Sequence, residues 1–170
     1  PYAHAWRNQN SRWDLIDVLR LAHALRPDGI EWPEREPGMT SFKLEDLAAA
    51  NGIEHNDAHD ALADVRATLA LARRLRAAQP RLFDYALGLR DKDAVTRLLE
   101  AGKPLLHVSQ RYPAAQGCIA PVGVVAPHLS NPKSVLCFDL REDPRLLLQG
   151  SDDELRLGLF ARRSELPDGL

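Results

Sequence analysis

The sequence contains little cysteine, no long apolar run and no excess of charge of one sign. Cys118 and Cys137 are its two cysteines among 170 residues. Two are too few for a disulfide framework, so a reducing, cytoplasmic compartment is expected. No apolar run approaches the ~20 residues that span a bilayer, and no membrane association is expected. A formal net charge of −2 excludes the strongly basic class of nucleic-acid-binding proteins, so any such binding must be local.

The beginning of the chain lacks the features of a complete or secreted protein. Its first residue is Pro1 rather than Met, and no basic, apolar, small-residue leader follows it. The sequence therefore predicts a segment of a longer protein without a signal peptide. With 45% hydrophobic and 27% charged residues, this segment can form a packed interior, and we expect it to be monomeric.

Helical spacing is typical of the first part of the chain. Ser11 and Asp14 form an N-cap pair, after which apolar residues recur three and four positions apart. These residues are Leu15, Val18, Leu19, Ala22 and Leu25. Residues 26–40 contain three prolines and two glycines and predict a long surface loop. Ser41 is expected to cap a short second helix that ends at Gly52.

A longer helix is predicted to follow, with Asp57 as its N-cap. Its apolar stripe is expected to be buried against the rest of the domain. The stripe consists of Ala61, Val65, Leu69, Ala72 and either Leu75 or Arg76. Gln79 and Pro80 end this helix, and we place a domain boundary between residues 79 and 80.

The pattern changes after this boundary. Two short helical segments, 81–87 and 91–101, precede three β-branched or apolar runs that are typical of a small β-barrel or sandwich. These runs are 105–108, 119–126 and 134–140. Ser151 with Glu154 predicts a last helical segment over 155–162. Because three strands rarely close a barrel, residues 80–170 are expected to be the first part of such a domain.

His59 and Asp64 are the strongest candidates for chemistry. They lie five residues apart, which on a continuous helix corresponds to about 140° around the axis. Both can therefore serve one site only if His59 lies at the start of the helix. A carboxylate can hold a hard divalent cation while a nearby imidazole takes a proton from an attacking water, as phosphodiester hydrolysis requires. Taken alone, such a pair is common, and it also fits a surface histidine and a helix-edge aspartate.

The run around this pair, SFKLEDLAAANGIEHNDAHDALADVRATLAL, resembles the third exonuclease motif of the DnaQ-like (DEDDh) nucleases. Three further segments are similar to single-strand-specific bacterial members of that family, namely NSRWDLIDVLR, ALRPDGIEWPE and QPRLFDYALGLRDKDAV. The resemblance implies an α/β parent protein with a ribonuclease H-like exonuclease domain. Residues 1–79 would be mainly the C-terminal helices of that domain. Residues 80–170 would be the first part of an α+β, SH3-like β-barrel domain that clamps DNA.

The resemblance also implies a reaction and roles for the pair. It makes His59 the general base and Asp64 a ligand of one of two Mg²⁺ ions, with Mn²⁺ as an alternative. The implied enzyme releases 5′-mononucleotides from the 3′ end of single-stranded DNA in DNA repair and recombination. The family's Asp-x-Glu strand and its additional metal-binding Asp find no match in this sequence and are expected upstream of Pro1. This chain alone is therefore expected to be inactive.

DNA-binding positions follow from the same resemblance. Tyr2 and Trp6 offer ring faces on which bases can stack, although both could equally be core aromatics. Four cations are expected to contact backbone phosphates, although single surface cations are usually only solvated. They are Arg20, Lys43, Lys92 and Lys133.

A protein partner is implied as well. Arg26, Tyr85 and Lys103 match positions with which the family binds the acidic, apolar C-terminal tail of single-stranded DNA-binding protein. A basic pocket beside an aromatic ring suits a terminal carboxylate.

The motif also fits three other kinds of protein. His59-Asp60 could be paired ligands of an HD-type metal phosphohydrolase, and His55 with His59 could bind zinc. The residues Gly52 and Asn56 argue against a continuous helix that carries both histidines, and no third ligand occurs at suitable spacing. The remaining alternative is a DNA-binding or protein-docking segment that catalyses nothing.

Overall fold

The structure, a computed structural model, describes residues 10–55 and 60–155. Within them, α-helices and five strands form a helical part followed by a small sheet, with a short 3-10 helix at Ala114–Gln116 and further helical residues at 152–155. The helices are α1 (Leu15–Leu25), α2 (Leu44–Ala50), α3 (Ala61–Ala78), α4 (Pro80–Gly88), α5 (Lys92–Glu100) and α6 (Arg145–Gln149); the strands are β1 (Glu34–Glu36), β2 (Met39–Thr40), β3 (Leu105–Val108), β4 (Ile119–Pro127) and β5 (Val135–Asp139). None of the helices in these two ranges is both long enough and apolar enough to cross a membrane.

The core of the helical part lies between α1, α2, α3 and α4. Its buried members are Leu15, Val18, Leu19, Ala22, Ile30, Leu47, Leu71, Leu75, Phe83 and Ala86. The apolar spacing predicted for the first helix is confirmed, because four of its five positions are buried and only Leu25 is exposed. Trp13 and Trp32 pack against this core at its edge. Since α4 contributes to the same core, the division between residues 79 and 80 stays a prediction.

The stripe predicted to be buried on α3 is confirmed at Leu75 and is wrong at Ala61, Val65 and Leu69, which are exposed. Ala67, Leu71 and Leu75 have no exposed surface, whereas Val65 is 53% exposed and Leu69 is 49% exposed. Apolar residues occur on both sides of this helix, so the sequence pattern alone does not select one side. The contacts of α3 with α1, α2 and α4 determine which side becomes the core.

The segment 26–40, predicted to be an irregular loop, contains a small antiparallel hairpin of β1 and β2 with Gly38 in its turn at φ 77°. Asn51 anchors the segment, because its amide nitrogen donates to the carbonyls of Glu31 and Leu47, and its amide oxygen accepts from Glu31 N. Gly29 lies at φ 87°, and a Cβ there would stand 2.6 Å from Ala78 Cβ. Only a glycine therefore allows this close approach to the end of α3.

The helix caps predicted from the sequence are confirmed only in part. Asp14 caps α1 by accepting from Ile16 N at 3.1 Å, as predicted. Ser41 does not cap α2, since Lys43 is the N-cap residue and the Ser41 hydroxyl donates to Asp46 instead. Gly52, at φ 65°, adopts the left-handed conformation predicted for the end of this helix.

The second part of the chain forms a three-stranded antiparallel sheet in the order β3-β4-β5. The three predicted strands are confirmed within one residue at each end. Ala120 and Val122 on the central strand β4 are buried, and α1 contacts both β3 and β4.

The helix α6 was not predicted. Ser151 and Glu154 form the predicted capping box, in which Ser151 N donates to the Glu154 carboxylate at 2.8 Å, and residues 156–162 of the predicted last helical segment lie outside the described ranges.

His23 gives the helical part a pH-dependent stability. Its Nε2 lies 3.0 Å from Thr40 Oγ1, and its ring packs edge-on against Trp32 and Phe42. Burial lowers the pKa of His23 below its usual value of 6.5, and the nearby carboxylate of Glu34 opposes this effect. The unfolded chain therefore binds this proton more tightly than the folded chain does.

We expect the free energy of unfolding to be constant above about pH 7 with respect to His23, and to fall as the pH drops through about 6.5 towards the lower pKa of the folded state. Urea titrations at several pH values measure this change. In His23→Gln, the glutamine amide can donate near the position of Nε2 but cannot titrate, so the decrease over that window should be smaller. An unchanged decrease would assign the effect to other groups.

Candidate metal and nucleic-acid site

The candidate site lies at the start of α3. The side chain of Asp60 caps this helix by accepting from Ala63 N at 3.1 Å, so the prediction of Asp57 as the N-cap is wrong. The helix starts later than predicted because Asp60 supplies the same carboxylate cap three residues further on. Asp64 consequently lies in the first turn of α3. A carboxylate is favoured there by the unpaired N–H groups and by the helix dipole.

Asp64 is held by a histidine. His55 Nε2 lies 2.7 Å from Asp64 Oδ1, and the side chain of His55 is 6% exposed while that of Asp64 is 43% exposed. The histidine comes from the connection after α2, nine residues before Asp64. Sequence reasoning considered His55 only as a zinc ligand and missed this contact.

The second carboxylate oxygen of Asp64 accepts no hydrogen bond from any described residue, and no described Lys or Arg forms an ion pair with this carboxylate. His55 supplies a donor to one oxygen of Asp64, while the side chain of Asp64 stays 43% exposed. In the described part of the chain, no group of three or more His, Cys, Asp or Glu side chains could hold a metal ion. Asp64 therefore fits one position in a ligand set, and the described residues do not complete that set.

Three predicted site residues lie outside the described residues. They are the candidate base His59 and the candidate stacking residues Tyr2 and Trp6. Their roles stay predictions.

The four cations predicted to bind DNA lie on separate elements. Lys43 at the start of α2, Lys92 at the start of α5 and Lys133 in the β4–β5 connection are exposed. Arg20 is only 8% exposed, its Nη1 donates to Asp17 Oδ1 at 2.7 Å, and its guanidinium lies 5.7 Å from the centre of the Phe42 ring. In this structure, Arg20 is thus engaged within the chain.

The three residues predicted to bind a protein tail are all exposed. Arg26 follows α1 and donates from Nη1 to Leu25 O at 2.6 Å. Tyr85 on α4 is 58% exposed, and Lys103 lies in the turn between α5 and β3. Their exposure is compatible with a binding role.

Comparison with known proteins gives a consistent result. Residues 90–170 match the family described as the exonuclease I SH3-like domain. Exodeoxyribonuclease I of Escherichia coli K12 is 46% identical over 170 residues, which cover 99% of this chain and 36% of that protein. The chain therefore spans just over a third of the length of this relative.

Solved structures agree with the sequence match. The structure of E. coli exonuclease I in complex with a dA16 oligonucleotide superimposes with a TM-score of 0.91 at 46% identity, over 99% of this chain and 36% of that one. The zinc-ion-bound form of an E. coli exonuclease I–ssDNA complex gives 0.89 at 46% identity with the same coverage. The expected fold class, exonuclease helices followed by an SH3-like domain, is confirmed. Because the match extends over nearly the whole chain, in sequence and in backbone, the chain corresponds to an internal segment of an exodeoxyribonuclease I-like protein, with the family's SH3-like domain over residues 90–170.

Proposed function

We propose that this chain is part of a 3′→5′ exonuclease that degrades single-stranded DNA to 5′-mononucleotides by two-metal-ion phosphodiester hydrolysis. The observation that carries the proposal is the half-exposed carboxylate of Asp64 in the first turn of α3, with one oxygen held by His55. Similarity to proteins named exodeoxyribonuclease I supports a nuclease function for the full-length protein. The polarity, the products, the cytoplasmic location and a role in DNA repair and recombination are part of the proposal.

In this proposal His59 is the general base, whose imidazole takes a proton from the water that attacks the phosphorus. Asp64 would hold a divalent cation through the carboxylate oxygen that does not accept from His55. Bound Mg²⁺, with Mn²⁺ as an alternative, would lower the pKa of water and neutralise charge on the phosphate. Hard carboxylate oxygens suit these ions, and the zinc-bound form of the E. coli enzyme supports a divalent cation.

The proposed DNA contacts combine stacking with phosphate binding. Lys43, Lys92 and Lys133 are exposed, and each could neutralise a backbone phosphate. Arg20 could reach a phosphate only by leaving its ion pair with Asp17, so its contribution should be smaller. Tyr2 and Trp6 are proposed to stack on bases. The oligonucleotide complex of E. coli exonuclease I supports single-stranded DNA as the ligand.

A protein partner is proposed for a second surface. Arg26, Tyr85 and Lys103 would bind the acidic C-terminal tail of single-stranded DNA-binding protein, the two cations through its carboxylates and Tyr85 through its apolar side chains. The exposure of these three side chains supports this role. The protein is proposed to act as a monomer.

We expect the 170-residue chain, incubated with Mg²⁺ and an end-labelled single strand, to release no nucleotides, because its described residues do not complete a metal-binding set. The full-length protein at the same concentration should digest the strand. Gel analysis of the labelled products measures both. Steady digestion by the chain alone would contradict the expectation. If the full-length protein binds the strand without shortening it, the alternative of a catalytically silent DNA-binding protein is correct.

A further inference from the structure

We propose that His55 is a positioning residue that orients the metal-binding carboxylate of Asp64, an inference that rests on the proposed function. The supporting contact is the 2.7 Å hydrogen bond from His55 Nε2 to Asp64 Oδ1. An imidazole N–H donates along this line, and the carboxylate oxygen accepts. His55 does not take part in the proton transfer or in metal binding.

The two side chains differ in burial in the way that positioning requires. His55 is 6% exposed, so its ring is fixed by packing, whereas Asp64 is 43% exposed and can still receive a ligand. A carboxylate in the first turn of a helix would otherwise rotate between several rotamers. The bond to a fixed donor restricts the rotamers of Asp64 before the ion binds, so less conformational entropy is lost on binding.

The hydrogen bond also gives the two carboxylate oxygens of Asp64 different roles. Oδ1 accepts from His55, while Oδ2 has no partner among the described residues. Metal-binding carboxylates are generally hydrogen-bonded by outer groups in this way, and loss of such a group typically weakens metal binding roughly 10–100-fold. No described Lys or Arg competes for this carboxylate.

The competing explanation is a purely structural bond that ties the connection after α2 to the start of α3. Both explanations predict some loss of stability when the donor is removed. Only the positioning role predicts a loss of metal affinity that follows the location of the donor atom. The test therefore needs variants that differ in donor position and a measurement other than turnover.

The full-length protein offers three informative variants at this position. His55→Phe keeps a ring of similar shape but has no donor. His55→Gln places an amide N–H near the position of the histidine Nε2, whereas the shorter His55→Asn places it near Nδ1. Mn²⁺ affinity, measured by the electron paramagnetic resonance signal of the free ion, is expected to fall roughly 10–100-fold in His55→Phe and His55→Asn. His55→Gln should stay within about threefold of the wild-type value, in keeping with a retained hydrogen bond.

Thermal melting and single-strand binding without metal serve as controls for folding. Wild-type Mn²⁺ affinity in a folded His55→Phe would overturn the proposal, and so would equal affinities of the Gln and Asn variants. If His55→Phe does not fold, the comparison of Gln with Asn decides. Asp64→Asn in the same assay distinguishes a failure of the positioning role from a failure of the proposed function. If Asp64→Asn keeps full Mn²⁺ affinity, the proposed function itself fails; if it loses affinity while the His55 variants do not, only the positioning role fails.

Discussion

Asp64→Ala in the full-length protein is expected to lower kcat by orders of magnitude, roughly 10²-fold or more, while affinity for single-stranded DNA stays within a few-fold of wild type. The carboxylate is assigned to a catalytic ion, whereas strand affinity depends on phosphate and base contacts elsewhere. Single-turnover digestion of a labelled strand measures the rate, and binding to the same strand without metal measures the affinity.

Asp84→Ala is the matched control for this experiment. Asp84 is an exposed carboxylate on α4 whose closest cation is Arg76 at 3.7 Å, and such exposed pairs contribute little to stability. Its removal should leave digestion nearly unchanged. Near-normal hydrolysis by Asp64→Ala would exclude Asp64 as a metal ligand.

Leu71→Ala is expected to produce a large loss of stability in the helical part. Leu71 is fully buried between α3 and its neighbours, and truncation of such a leucine typically lowers the free energy of unfolding by about 2–5 kcal/mol. The matched control is Leu69→Ala on the same helix, whose side chain is 49% exposed and whose loss should be under about 1.5 kcal/mol. Urea unfolding of the 170-residue chain compares the two.

Equal losses for the two variants would show that the register of α3 is not the one described. A larger loss for Leu69→Ala would restore the stripe first expected from the sequence.

The fold was predictable where local signals were unambiguous. The segments that flank strands β3, β4 and β5 contain Pro, Gly and Asn. Gly52 and Gly102 end helices at φ 65° and 63°. The inner side of α3 was only partly predictable, because Val65 and Leu69 lead to the buried Leu75 at helical spacing as well as Ala67 and Leu71 do. That choice depends on tertiary contacts.

The candidate site was likewise predictable only in part. His59 and Asp64 could be singled out from the sequence because their spacing and surroundings resemble a known nuclease motif. His55 could not be assigned as the partner of Asp64, since their contact depends on the path of the connection between α2 and α3. No periodicity in the sequence encodes such a contact.

Digestion of a 5′-labelled single strand by the full-length protein with Mg²⁺ shows whether the protein is a single-strand-specific 3′→5′ exonuclease. We expect a ladder that shortens from the 3′ end, release of 5′-mononucleotides, and much slower digestion of the matching duplex. Internal cleavage, shortening from the 5′ end, or equal digestion of single strand and duplex would contradict this expectation.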